Sequence, residues 1–173
     1  MTQPNPLIRS TRPALTLALN VNGCFGAGIG LLLIASLAMG DRFTAILLHA
    51  GSPAGLATTT IGARCLMIVG MLAAGATQII LLTLSRMAAS LASDDPFAAA
   101  NAARLRTIGW ALLGIQLLDF PVMAICHYAP VIGQVIHKNG VSLSGWLAVL
   151  MVFVLAHIFE KGTAMRDYLE ETI

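Results

Sequence analysis

The stretch that decides the fold is residues 94–128, DDPFAAANAARLRTIGWALLGIQLLDFPVMAICHY. It opens with an acidic pair and a proline, passes through two arginines, and then carries no charge from Thr107 to Tyr128 except at Asp119. An apolar segment of about 20 residues can cross a bilayer as a helix. A carboxylate near the centre of such a span costs roughly 2.5–3.5 kcal/mol, so Asp119 is expected to face other helices and not lipid.

The composition of the whole chain agrees with a membrane protein. Of its 173 residues, 57% are hydrophobic and only 10% are charged, whereas soluble domains have about 25% charged residues. We therefore predict an all-α, four-transmembrane-helix bundle that forms a single membrane domain over residues 1–173 and has the lipid bilayer as its partner. The net charge of +2 is too small for direct nucleic-acid binding by this chain.

Four apolar runs carry this prediction. We place the spans at about 14–40, 64–87, 107–128 and 142–159, with a charged tail at 160–173 that continues the last helix past Gly162. The first run could also be a cleavable signal peptide ending near Ala38. Its uncharged length is about twice the 7–15 residues of a signal-peptide core, so an uncleaved span is favoured.

The connections contain turn and cap residues. Residues 41–63, with Gly51, Pro53 and Gly55, are predicted to form a loop, in which the segment Phe43–His49 could lie on the membrane surface. Before the third span, Asp94 or Asp95 can cap a helix whose first turn holds Pro96.

The distribution of cations predicts the orientation. The amino tail, the middle loop and the carboxyl tail share one side and hold seven cations, namely Arg9, Arg12, Arg86, Arg104, Arg106, Lys161 and Arg166. The other two loops hold three, Arg42, Arg64 and Lys138. Because cytoplasmic loops are enriched in Lys and Arg, both termini are predicted to be cytoplasmic.

Polar residues recur inside the spans at similar depth. They form a predicted intramembrane polar layer of Asn20, Asn22, Gln78, Gln116, Asp119 and His157. One interpretation is an interhelical hydrogen-bond network that fixes helix register, with Pro121 freeing a backbone carbonyl for it. The other is a proton or ligand site centred on Asp119. The first is favoured because no second acid or lysine completes a relay.

Two further patterns leave alternatives open. Cys65, Cys126 and His127 lie near the outer ends of the spans, where a disulfide or a metal is conceivable, but no spacing requires either, and no cofactor or metal is predicted. Gly26 and Gly30 form a small-residue face. Packing within the bundle is favoured for this face over homodimerisation.

Two stretches carry a family resemblance. The first is Asp95-Pro96-Phe97 followed by Asn101, Arg104-Leu105-Arg106 and Gly109-Trp110, and the second is Leu155–Phe159 with Gly162 and the terminal Thr172-Ile173. Together they resemble a bacterial four-span membrane family known as domain of unknown function 2975, over about residues 95–173. The resemblance implies a multi-pass protein of the bacterial cytoplasmic (inner) membrane.

Members of that family are often encoded beside small Xre-type helix-turn-helix regulators. The resemblance therefore implies a non-enzymatic membrane protein that holds or controls such a transcription factor at its cytoplasmic face. The tail offers an apolar strip for docking through Tyr168 and Leu169, although Arg104 and Arg106 could simply anchor to anionic headgroups. The candidate partner-binding residues are Phe97, Asn101, Arg104, Arg106, Phe159, Gly162, Tyr168 and Leu169.

Two alternative functions belong to other classes. One is a small proton-coupled transporter or channel that uses Asp119. The other is a redox subunit with a bound cofactor, which would show a visible absorption band or stoichiometric metal.

Overall fold

The computed structural model describes residues 6–40, 42–43, 46, 53–90, 99–136 and 142–170. Its helices are α1 (Pro6–Met39), α2 (Pro53–Ser90), α3 (Ala99–Leu117), α4 (Asp119–Tyr128), α5 (Pro130–Ile136) and α6 (Leu143–Glu170). Residues 42, 43 and 46 are also helical. Because no β-strand occurs among the described residues, the predicted all-α class is confirmed.

The prediction of four long apolar helices is confirmed. The helical segments Pro13–Met39, Ala57–Ala89, Ala100–Tyr128 and Leu143–Met165 are long and apolar enough to cross a membrane. The shortest of them has 23 residues. At a rise of about 1.5 Å per residue, that length exceeds the roughly 30 Å of a bilayer's hydrocarbon core.

The second helix starts earlier than the sequence suggested. We predicted a loop as far as Ala63, but α2 begins at Pro53, so that prediction was wrong from Pro53 onward. Proline is well tolerated at the first helical position, where its missing N–H would have had no partner. Thr59 and Thr60, assigned to the loop, are buried on this helix with 3% and 2% of their surface exposed.

The third span is interrupted in its middle. α3 ends at Leu117 and α4 begins at Asp119. The Leu118 N–H donates to the Ile115 carbonyl at 3.2 Å, which is a bond between residues three apart, as in a 3₁₀ turn, and not four apart, as in an α-helix. Pro121 has no N–H to offer the Leu117 carbonyl. The sequence analysis predicted a span over residues 107–128 without this interruption, so the interruption is a correction, and Pro121 provides its physical reason.

Residue contacts divide the chain into two compact units. The first takes in Met1–Asn22, Ala76–Gly114 and Leu143–Ile173, and the second takes in Gly23–Gly75 and Ile115–Ser142. α1 and α2 pass through both units.

In the first unit, α3 packs against α6. Leu105, Ile108 and Ala156 are all at least nine-tenths buried. The rings of Trp110 and Phe153 meet edge to face, with their centroids 5.5 Å apart. Such aromatic pairs add about 0.5–1.5 kcal/mol beyond the area that they bury.

In the second unit, small residues let the helices approach closely. A Cβ atom built on Gly26 of α1 would lie 3.4 Å from the Ala74 Cβ of α2. One built on Gly62 of α2 would lie 2.9 Å from the Cβ of Ala129. Helices in membranes associate through such small-residue contacts, because lipid provides no hydrophobic drive between them.

Large apolar side chains cover much of the surface. Leu17, Leu31, Ile34 and Leu147, for example, are each more than half exposed. A soluble monomer rarely exposes extended apolar patches, whereas lipid-facing helices do so as a rule. The surface thus agrees with the composition in indicating a multi-pass membrane protein.

Candidate functional site

Asp119 is buried at the interruption in the third span. Only 7% of its surface is exposed, so the prediction that it faces protein and not lipid is confirmed. It is the first residue of α4. The interruption therefore lies directly beside the acid.

Gln116 lies one turn before Asp119 and is also buried, with 8% of its surface exposed. Its side-chain Nε2 donates to the backbone carbonyl of Ser142 at 3.3 Å. This bond connects the end of α3 to the residue that precedes α6. Gln116 therefore holds Ser142, the residue directly before α6, against the end of α3.

Asp119 lines a cleft in the second unit, which we call the Asp119 cleft. Its volume is about 390 Å³, and its walls include Phe25 and Ile29 of α1, one face of α2 between Leu66 and Ala73, and four residues between Ile115 and Val122. Among the described residues that line it, Asp119 is the only charged one. The cleft is thus an apolar surface with a single acidic point.

Two other members of the predicted polar layer meet in the first unit. The Asn22 side-chain Nδ2 donates to the Gln78 Oε1 at 2.7 Å, which joins α1 to α2. Interhelical bonds of this kind contribute about 0.6 kcal/mol on average in a membrane. For this pair, the interpretation as a register-fixing hydrogen bond agrees with the geometry.

The remaining members of the predicted layer are spread out. Asn20 and His157 belong to the first unit and are exposed, whereas Gln116 and Asp119 belong to the second. The His157 Nδ1 lies 4.0 Å from the Glu160 Oε2 on the same helix. That one layer joins all six residues stays a prediction.

Most of the candidate partner-binding residues lie in the first half of α3 or the second half of α6. We call this region of the first unit the α3–α6 end. Arg106 donates from Nη2 to Glu160 Oε2 at 2.9 Å, and both side chains are more than half exposed. Asn101 is 2% exposed, and its Oδ1 accepts a hydrogen bond from Arg104 Nη1 at 2.9 Å. Arg106 is thus available at the surface, while Asn101 is structural.

The other partner-binding candidates differ in what can be said of them. Phe159 is half-buried, and Gly162 is exposed on α6, which runs past it without a break. The backbone of Tyr168 and Leu169 is helical, as predicted for the tail. Phe97 lies outside the described residues, as do Asp94, Asp95 and Pro96.

Sequence reasoning missed a contact between the first two spans. The Arg64 guanidinium donates to the Ser36 carbonyl at 2.7 Å and to the Ser36 hydroxyl at 3.1 Å. Ser36 is 1% exposed. We had counted Arg64 only as a loop cation. A cation near the C-terminal end of a helix interacts favourably with its last carbonyls, and this general rule was the only available signal.

The glycines of the predicted small-residue face lie at a contact between helices. Gly26 and Gly30 both face α2, where a Cβ on Gly30 would lie 3.7 Å from the Met71 Cε. These contacts agree with the interpretation that the small-residue face packs within the bundle, and homo-oligomerisation through Gly26 and Gly30 stays a prediction.

Cys24, Cys65 and Cys126 are free thiols. Among the described residues, no group of three or more His, Cys, Asp and Glu side chains could hold a metal ion.

Comparison with known proteins gives one match. The sequence model of a family described as protein of unknown function (DUF2975) matches residues 35–173. No curated protein and no solved structure is significantly similar to the chain. The match covers all of α2 to α6 and extends upstream of the residues that carried the resemblance. The chain therefore belongs to the DUF2975 family of proteins of unknown function.

Proposed function

We propose that this protein is a non-enzymatic regulator of the bacterial inner membrane that holds a small helix-turn-helix transcription factor at its cytoplasmic face. The observation that carries the proposal is the exposed Arg106–Glu160 ion pair at the α3–α6 end. Charged groups of both signs, presented side by side, suit recognition of a soluble partner more than burial in lipid.

Packing beneath the ion pair supports a fixed display of these charges. Gly109 allows close approach of the two helices, since a Cβ there would lie 3.1 Å from the Phe153 ring. The Trp110–Phe153 pair lies next to this contact. A preorganised surface loses less side-chain and backbone entropy on binding than a mobile one. The α3–α6 end has this property.

The orientation follows from the positive-inside rule. Seven of the ten cations lie on the side that holds the termini and the connection between the second and third spans. In the proposed orientation, the Arg106–Glu160 pair lies at the cytoplasmic boundary of the membrane. The class of partner comes from the family resemblance, which implies an Xre-type regulator encoded nearby.

Binding to that regulator tests the proposal. The full chain in lipid nanodiscs is titrated with the Xre-type regulator encoded closest to its gene. We expect saturable binding that Arg106→Glu weakens by about tenfold, which corresponds to 1.4 kcal/mol. Arg42→Glu is the matched control, because Arg42 is also exposed but lies on the predicted opposite side. No binding by the wild type, or equal weakening by both variants, would contradict the proposal.

A second candidate function is a proton-coupled transporter or channel. One observation favours it, namely that Asp119 is buried where the third span is interrupted. Discontinuous helices in secondary transporters place their ends at midplane binding sites. Proton flux into vesicles that contain the protein, lost in Asp119→Asn and kept in Glu160→Gln, is the expected result. Absence of proton flux in the wild type would contradict this candidate.

A further inference from the structure

One side of α1 carries a regular pattern of exposed residues. Along residues 17–38, the positions spaced alternately three and four apart are all exposed. We call them the α1 seam, and they are Leu17, Asn20, Cys24, Ala27, Leu31, Ile34 and Ala38. This spacing keeps residues on one side of a helix over three heptads, which is typical of helices that pair along their length. We infer that the α1 seam is the contact surface for a second copy of this chain, in a parallel dimer.

Contacts within the chain occupy the other side of α1. The Asn22 side chain bonds to Gln78 of α2, and a Cβ atom on Gly26 would lie 3.4 Å from the Ala74 Cβ. At about 100° per residue, Asn22 and Gly26 lie roughly 200° and 240° around the helix axis from Asn20. The α1 seam therefore points away from α2, and its side chains are open to contact by another molecule.

Asn20 distinguishes a partner helix from lipid as the surroundings of the α1 seam. It lies seven residues after Pro13, where the apolar segment of α1 begins, which is about 10 Å along the helix. That segment has 27 residues and is therefore about 40 Å long, against roughly 30 Å for the hydrocarbon core of a bilayer. Asn20 thus lies inside the core when the segment is centred in it. Lipid chains offer no hydrogen-bond partner to an amide, whereas another helix does.

A second copy is favoured as the partner because the Asn20 amide complements itself. A primary amide contains both a donor and an acceptor, so two such side chains can exchange hydrogen bonds across a two-fold axis. Two copies cross the membrane in the same direction, which makes their α1 helices parallel and brings equal residues to the same depth. A single Asn in a heptad seam fixes the register and the number of helices. Cys24 and Ala27 follow it in the α1 seam, and their small side chains allow the helices to approach closely at this level.

Förster transfer between donor-labelled and acceptor-labelled copies of the full chain tests the inference. Both copies carry the label at the amino terminus, and the ratio of protein to lipid is varied in phosphatidylcholine vesicles. We expect the transfer to saturate as a dimer forms, and Asn20→Leu to weaken dimerisation by at least about fivefold, the effect of one interhelical hydrogen bond in membrane peptides. Asn22→Ala is the matched control. Its amide already bonds to Gln78 within the chain, so this variant is expected to dimerise as the wild type does.

Disulfide cross-linking in the same vesicles tests which side of α1 meets the second copy. In a chain with Cys65→Ser and Cys126→Ser, Cys24 is the only remaining cysteine. Oxidation by copper phenanthroline and oxygen is expected to join the two Cys24 thiols of a dimer, because a disulfide forms where the Cα atoms lie within about 7 Å. The matched control combines Cys24→Ser with Phe25→Cys. Phe25 is also exposed but lies about 100° around the helix axis from Cys24, so little cross-linking is expected.

Far-ultraviolet circular dichroism checks that each variant keeps the helix content of the wild type. A wild type that stays monomeric at the highest protein density would overturn the inference. So would an Asn20→Leu variant that dimerises as tightly as the wild type, or equal cross-linking through residues 24 and 25.

Discussion

Alanine at Gly62 tests how closely α2 approaches the junction between α4 and α5. A Cβ atom there would lie 2.9 Å from the Cβ of Ala129 and 2.8 Å from the Cδ1 of Ile132. The end of Ile132 can rotate away, but the Ala129 methyl group moves only with its backbone. Overpacking of this kind costs about 1–3 kcal/mol. Replacing glycine by alanine inside a helix gains about 1 kcal/mol, which offsets part of that cost.

Gly75 on the same helix is the matched control. A Cβ atom there would have no atom within 4 Å, so Gly75→Ala reports the helix-propensity gain alone. The difference between the two variants therefore isolates the packing cost, and we expect Gly62→Ala to be less stable than Gly75→Ala by about 1–3 kcal/mol. The free energy of unfolding is measured by SDS titration of the purified chain, followed by far-ultraviolet circular dichroism. A Gly62→Ala protein as stable as Gly75→Ala would refute the close approach.

Two interactions in the first unit give further predictions. In a double-mutant cycle, Asn22→Ala and Gln78→Ala are expected to show a coupling of about 0.6 kcal/mol, and no coupling would contradict the bond between them. Arg106→Glu or Glu160→Arg alone is expected to cost about 0.2–1 kcal/mol at low salt, and the double reversal to restore it. The single-variant cost should fall at 1 M salt, where charges are screened beyond about 3 Å. A salt-independent cost would point to lost packing and not to lost charge.

The spans were predictable from the sequence for a physical reason. Lipid cannot hydrogen-bond to backbone groups, so a charge-free run such as residues 14–40 can cross the membrane only as a helix. Helix starts and interruptions were less accessible. Pro53 also suits a turn, and only the structure shows that it opens α2. Pro121 indicated a freed carbonyl, but not that α3 would end four residues earlier.

The sequence predicted the position of a candidate site residue only where the free-energy cost of exposing that residue to lipid determines whether it is buried. The cost of a carboxylate in a span predicted the burial of Asp119. The Asp119 cleft could not be predicted, because its lining comes from three separate segments whose relative rotation the sequence does not express. His157 shows what depth alone leaves open. Its depth matched the polar layer, yet its side chain is 66% exposed, because helical depth does not determine which way a side chain faces.

The contact between Arg64 and Ser36 has a consequence for the segment that joins the first two spans. The Arg64 guanidinium holds the last turn of α1 directly to α2, so this joint does not depend on the intervening residues. The closure entropy of a connection grows slowly with its length, and doubling the length adds only about 0.6 kcal/mol. An inserted peptide between Gly40 and Pro53 should therefore be accommodated while the two helices keep their mutual register.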